Sequence, residues 1–126
     1  MNLPDHYSDD LLRFFQGRPD RLALYQALFH RLDAAFPQAR VKVQKSQISF
    51  YNSRLFAMVS LPRRKGDPGL LVSFGLGYRL ASPRAALAVE PYPNRWTHHV
   101  PVTEEEQLDQ ELLGWLEEAW TFSQIK

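Results

Sequence analysis

The chain contains no cysteine, and that absence removes disulfide frameworks, thiolate zinc sites, iron–sulfur ligation and cysteine nucleophiles together. Long apolar runs are missing too. No stretch approaches the roughly 20 residues needed to span a bilayer, and Met1 to Asp10 lack the basic region and apolar run of a secretory signal. The expected setting is the cytoplasm, with no membrane partner. Phosphate-cradling loops are absent as well: Gly75-Leu76-Gly77 lacks the later glycine and the Lys-Ser/Thr pair that such loops need. There is no Gly-x-Ser-x-Gly elbow to raise a serine nucleophile. The longest run of acids is Glu104 to Glu106, where capping of a helix explains them without chemistry. No internal repeat, low-complexity tract or linker interrupts the chain.

What remains is 126 residues, 44% of them hydrophobic, 13% aromatic and 23% charged, the profile of one globular domain over residues 1–126 and too aromatic for a disordered chain. The net charge of +1 hides a strong segregation. Residues 1–39 carry four Arg against five Asp. Residues 40–95 carry ten Lys and Arg against only Asp67 and Glu90, and the remainder carries Lys126 against seven acids. A basic middle is thus set against an acidic tail.

Hydrophobic spacing predicts helices at both ends and strands between them. Ser8 can cap a first helix that buries Leu11, Leu12 and Phe15 and stops at Gly17. A second helix starts at Pro19, repeats Leu22, Tyr25, Leu28, Phe29, Leu32 and Phe36 at three- and four-residue intervals, and ends near Pro37. The period then changes to two. Val41 and Val43, then Ile48 and Phe50, alternate with polar residues, and Leu55 to Leu61 and Leu70 to Leu76 are rich in strand formers. Asn52-Ser53 forms one turn and Pro62 to Gly69 another, which predicts a meander. Residues 77–96 hold Gly77, Pro83, Pro91 and Pro93 and are expected to be irregular, with one helical turn within Pro83 to Val89. A last strand, Thr97 to Val102, precedes a capping box of Thr103 and Glu106. The final helix carries the stripe Leu108, Leu112, Trp115, Leu116, Ala119 and Phe122.

Several of these stretches resemble a known family. Lys45-Ser46-Gln47-Ile48-Ser49-Phe50, Phe56-Ala57-Met58-Val59, Thr97-His98-His99-Val100-Pro101-Val102 and Asp109-Gln110-Glu111-Leu112-Leu113-Gly114-Trp115-Leu116 before Ala119-Trp120 look like the DUF5655 pattern. That pattern has a Lys-Thr/Ser pair before a strand ending in Phe and a Thr-His step before the last strand. Its terminal helix closes in Ala-Tyr, and Trp120 stands here for the Tyr. The resemblance covers most of the chain after Gly17. It implies an α+β fold similar to the YdhG-like domains: an antiparallel sheet of about four to five strands with N-terminal and C-terminal helices packed against it. No activity comes with it.

Candidate functional residues follow from charge and from that pattern. Lys45, Arg54, Arg63, Arg64, Lys65, Arg79, Arg84 and Arg95 can form a positive face, among which Tyr51, Tyr78, Tyr92 and Trp96 offer stacking surfaces. The expectation is a binding domain for an anionic partner, a nucleic acid or a phosphorylated ligand, held on the sheet or in a cleft formed by residues 77–96. Its expected lining is Lys45, Ser46, Arg54, Arg95 and His98, with Tyr92 and Trp96 at the cleft mouth. The opposing view is that these cations serve solubility and protect strand edges. Two alternatives come from other classes: a salt-sensitive homodimer pairing the basic middle with the acidic tail, and a small hydrolase built on Ser46 and His98. His98 and His99, being neighbours on a strand, point to opposite faces and do not share an ion. No metal site and no cofactor are expected.

Overall fold

A computed structural model describes residues 1–125. Helix α1 spans Tyr7–Phe14 and α2 spans Pro19–Ala35. Six strands follow: β1 Arg40–Val43, β2 Ile48–Tyr51, β3 Leu55–Ser60, β4 Leu70–Leu76, β5 Leu87–Tyr92 and β6 Arg95–Val102. Helix α3, Gln110–Ile125, closes the described chain. All neighbouring strands are antiparallel, in the order β1-β2-β3-β4-β6-β5. The first four form a meander. The chain then passes β4 by one position, runs down the outer edge as β5 and returns as β6 in the gap.

The α+β architecture stands, with six strands in place of four to five. The strand missed from the sequence is β5. Proline removes a ladder donor, which is tolerated on an edge strand, and β5 pairs only with β6. Its register with β6 also slips between Val89 and Tyr92, the stretch that contains Pro91. Pro83 starts a short 3-10 turn, Pro83–Ala85, in which the Arg84 amide donates to the Ser82 hydroxyl.

Caps differ from expectation in detail. Helix α1 follows His6, which adopts a left-handed conformation, and not Ser8. The capping box lies one residue later than predicted, with Glu104 and Gln107 in place of Thr103 and Glu106. It closes the 3-10 turn Glu105–Gln107, and Gln107 Oε1 accepts from the Thr103 and Glu104 amides. Helix α3 begins only after this turn, where Asp109 Oδ1 accepts from the Leu112 amide.

Register assigns each strand residue to a face. Val41, Phe50, Ala57, Phe74 and His98 lie in one row across the sheet, and Ile48, Val59, Val72 and Val100 lie in the next. All nine are buried. The helices cover this side. Phe74 stacks on Trp115 of α3, and Phe56 packs against both Trp120 and Phe36. One apolar cluster therefore joins all three helices to the sheet, and burial of that area is the main force holding the layers together.

Candidate functional site

Among the described residues, no helix covers the opposite face of the sheet. Alternation puts Arg40 and Lys42 of β1, Ser49 and Tyr51 of β2, Met58 of β3, Ser73 and Gly75 of β4, and Arg95, Thr97 and His99 of β6 on that side. Leu87 and Val89 of β5 extend it to the edge and are more than half exposed. Arg40, Lys42 and Arg95 are exposed, while Met58, Thr97 and His99 are half-buried. No strand residue on this face is acidic.

Most acids lie on α1, α2, the turn at Glu104 to Gln107 and α3; Glu90 of β5, whose Oε2 accepts from the Asn94 amide, and Asp67 of the β3–β4 turn stand apart from them. Of the ten cations of residues 40–95, Arg40, Lys42 and Arg95 occupy strand positions on the open face. Basic residues on the helical side are engaged there. Arg84 contacts Asp109 and Glu111 at 3.0 and 2.9 Å, donates to the Gln107 carbonyl and lies over the Trp115 ring. Arg79 lies over the Trp96 ring, and Arg31 reaches Glu105 at 3.5 Å. Among the described residues, no carboxylate pairs with Arg40, Lys42, Arg54, Arg63 or Arg95.

The floor of the open face is polar. The Ser49 hydroxyl donates to Gln44 Oε1 at 2.7 Å and receives from Gln47 Nε2 at 2.9 Å. Ser73 Oγ and His99 Nδ1, on neighbouring strands, are 2.7 Å apart. Burial and the nearby Arg63 guanidinium hold the His99 pKa below its usual value, so the ring is neutral at pH 7. Tyr51 receives the Arg40 guanidinium on its ring at 5.4 Å.

The expected lining residues divide into three places. Arg54, Tyr92 and Arg95 lie at one end of the sheet, in or beside the β2–β3 and β5–β6 turns, and all three are exposed. Trp96 is there too but belongs to the helical side, paired with Leu76. Lys45 and Ser46 sit in the β1–β2 turn at the opposite end, where Lys45 borders a hollow against Asp10, Arg13 and Phe14 of α1. His98 is inside the core. Its ring is fully buried and stacks on Phe74, and its Nε2 accepts from the Leu80 amide at 3.0 Å. His98 Nδ1 has no partner in hydrogen-bonding geometry. The Phe74 and Trp96 carbonyls favour the protonated ring, but desolvation outweighs them and lowers the pKa.

Of the expected lining, Tyr92 and Arg95 pair across β5 and β6, and Arg54 is at the same end of the sheet but two strand spacings, about 10 Å, or more from the β6 column; the open face adds Arg40, Lys42, Ser73, Thr97 and His99. Ser46 and His98 are not neighbours: three strand spacings, about 14 Å, separate their columns. Ser73 and His99 are within reach of each other, yet no carboxylate orients the imidazole among the described residues. Ser73 also sits in mid-strand between β3 and β6, so its neighbouring amides serve the ladder and form no oxyanion hole. A hydrogen-bonded pair on a binding surface describes it better than a catalytic dyad.

No group of three or more His, Asp or Glu side chains able to hold a metal ion occurs among the described residues, and no helix there is long and apolar enough to cross a membrane. A family model described as a domain of unknown function (DUF5655) matches residues 13–123. No curated protein and no solved structure gives a match.

Proposed function

The chain belongs to the DUF5655 family of domains of unknown function, and on that premise we propose that it is a binding domain that lays a single-stranded nucleic acid across the open face of its sheet. One observation carries this reading: the open face bears Arg40, Lys42, Arg63 beside His99, and Arg95, with no carboxylate paired to any of them among the described residues, while most acids lie on the helices. β1 and β6 are four strand spacings apart, about 19 Å. A single phosphate reaches one of these cations; a chain of phosphates reaches them all. Between them lie Tyr51 and Met58, and beyond β6 at the sheet edge lie Leu87 and Val89, apolar surfaces for the faces of unpaired bases. No helix projects from this face to enter a duplex groove, which favours single strands.

The homodimer alternative draws on the same charges but meets a geometrical objection. The acidic helices and the basic face are on opposite sides of one sheet, so their contact is head-to-tail and builds open chains unless its rotation happens to close. Sizing at low and high salt separates the two readings: nucleic-acid binding leaves the free protein's size independent of salt.

The test is binding of a labelled oligonucleotide of about 12 nucleotides, within the usual site size for such surfaces, across a salt series. With four cations engaged, the logarithm of affinity should fall against the logarithm of salt with a slope near −3, at about −0.7 per phosphate met on a single strand. Arg40→Ala and Arg95→Ala should each flatten the slope by about 0.7. Equal affinity for duplex, or no binding at low salt, defeats the reading.

A further inference from the structure

Gly75 is the last but one residue of β4, one position past the last β4 pair with β3, Ala57↔Phe74; the nearest register shift lies between β2 and β3, and β4 itself keeps an unbroken register with β6 through Leu76. The Gly75 backbone is not in the left-handed region that glycine alone adopts easily. A Cβ built at this position meets nothing closer than the Trp96 carbonyl oxygen at 3.9 Å, an ordinary contact. Gly69 and Gly77 differ: a Cβ at Gly69 collides with the Val102 carbonyl, and one at Gly77 presses on the Phe122 ring. A strand-interior glycine weakens its strand, and it commonly marks a place where something outside approaches the backbone closely.

The missing side chain leaves a depression of about 70 Å³ in the open face, walled by Leu55 and Met58 of β3, Ser73 of β4 and Thr97 of β6. The walls are apolar on one side and carry hydroxyls on the other. Arg95 is two residues from Thr97 on the same face of β6, and Arg54 precedes Leu55 in the β2–β3 turn. A flat apolar surface, hydroxyls at its edge and cations beyond it match the three parts of a nucleotide: base face, base edge and phosphate.

The geometry points to Gly75 as a base-stacking seat, at which one nucleobase of a single-stranded nucleic acid lies flat on the β4 backbone while its phosphates meet Arg54 and Arg95. This rests on the function proposed above and adds to it a fixed register point for the strand. Because the seat recognises a base and not charge, its contribution is separable from that of the cations.

Gly75→Ala places a methyl group in the depression without touching the fold, and Gly75→Val fills it further. For the labelled oligonucleotide, Gly75→Ala should weaken binding about tenfold, a typical loss for one stacked base, with the salt slope unchanged. Its melting temperature should equal or exceed that of the wild type, since alanine suits a strand better than glycine. An oligonucleotide of the same length made wholly of abasic nucleotides keeps the phosphates and removes the bases. Wild type and Gly75→Ala should bind it equally. Wild-type affinity for the normal oligonucleotide in both variants overturns the seat while leaving the open-face reading intact. A tenfold loss that persists on the abasic strand also overturns it, because the methyl would then be obstructing the backbone. Failure of the wild type to bind either strand removes both proposals.

Discussion

Mild acid should destabilise this protein through its buried histidine before its carboxylates begin to protonate. His98 is fully buried, stacked on Phe74 at 5.4 Å, and its Nε2 is committed to the Leu80 amide. The neutral ring must then carry its proton on Nδ1, and a second proton would displace the Leu80 contact. Burial is the main cause of the lowered pKa, with the charges of His99 and Arg79 acting in the same direction. A folded pKa below the unfolded value of 6.5 means that the unfolded chain takes up a proton that the native state refuses. The stabilising effect is therefore complete above pH 6.5 and is lost as the pH falls through that value toward the folded pKa. Within that window one histidine removes up to about 1.4 kcal/mol per pH unit. His99, shifted in the same direction, can at most double the slope.

Urea unfolding from about pH 8 to about pH 5.5 measures the effect, because stability in a domain of this size is read from the transition midpoint and its slope. His98→Leu keeps the approximate volume but strands the Leu80 amide, so at the alkaline end it should be less stable by about 1–3 kcal/mol. Its stability should then vary less with pH, and the gap from the wild type should narrow as the solution is acidified. Wild-type stability that does not change between about pH 7.5 and about pH 5.5, or a His98→Leu variant that retains the full slope, refutes the assignment.

Two further expectations concern the frame that holds the face in place. Gly69 has φ +80, and a Cβ there would collide with the Val102 carbonyl oxygen, whereas Gly66, at φ +95, has open space around it. Gly69→Ala should therefore cost more than about 3 kcal/mol and Gly66→Ala about 1 kcal/mol, measured by thermal or urea unfolding. Arg84→Ala breaks the link from the Pro83–Ala85 turn to Asp109, Glu111 and the Gln107 carbonyl. At the partial exposure of these groups it should cost about 1 kcal/mol and leave oligonucleotide binding and its salt slope unchanged, while Arg95→Ala does the reverse. If Arg84→Ala weakens binding as much as Arg95→Ala does, the open face is not what governs recognition.

Local rules located most of the elements because the topology itself is mostly local. Strands β1 to β4 follow one another in space as in sequence, so each strand's neighbours can be read from the order of the turns, and helices from the two ends of the chain pack on one side of the sheet. β5 escaped because Pro91 reads as a breaker unless its strand is known to be an edge. The alternation rule separated His98 from His99 but left open which one entered the core. That was decided by the pairing of Phe74 with His98, 24 positions apart in sequence.

Pairing also determines which polar residues can cooperate, and here sequence proximity misleads. Lys45 and Ser46 lie just before β2 but at the opposite end of the sheet from Arg54 and Arg95, because successive antiparallel turns alternate ends. Ser73 and His99 meet only because β6 inserts beside β4. Gly75 shows the same dependence. In the sequence it belongs to Gly75-Leu76-Gly77, a fragment too short for a phosphate loop, and its neighbour Gly77 is explained by Phe122. A glycine in a strand has a meaning only once its face is known. On the helical side it would make room for a packed side chain; on the open side, where a Cβ would meet only the Trp96 carbonyl oxygen within 4 Å, it leaves the depression from which the proposed base seat is argued.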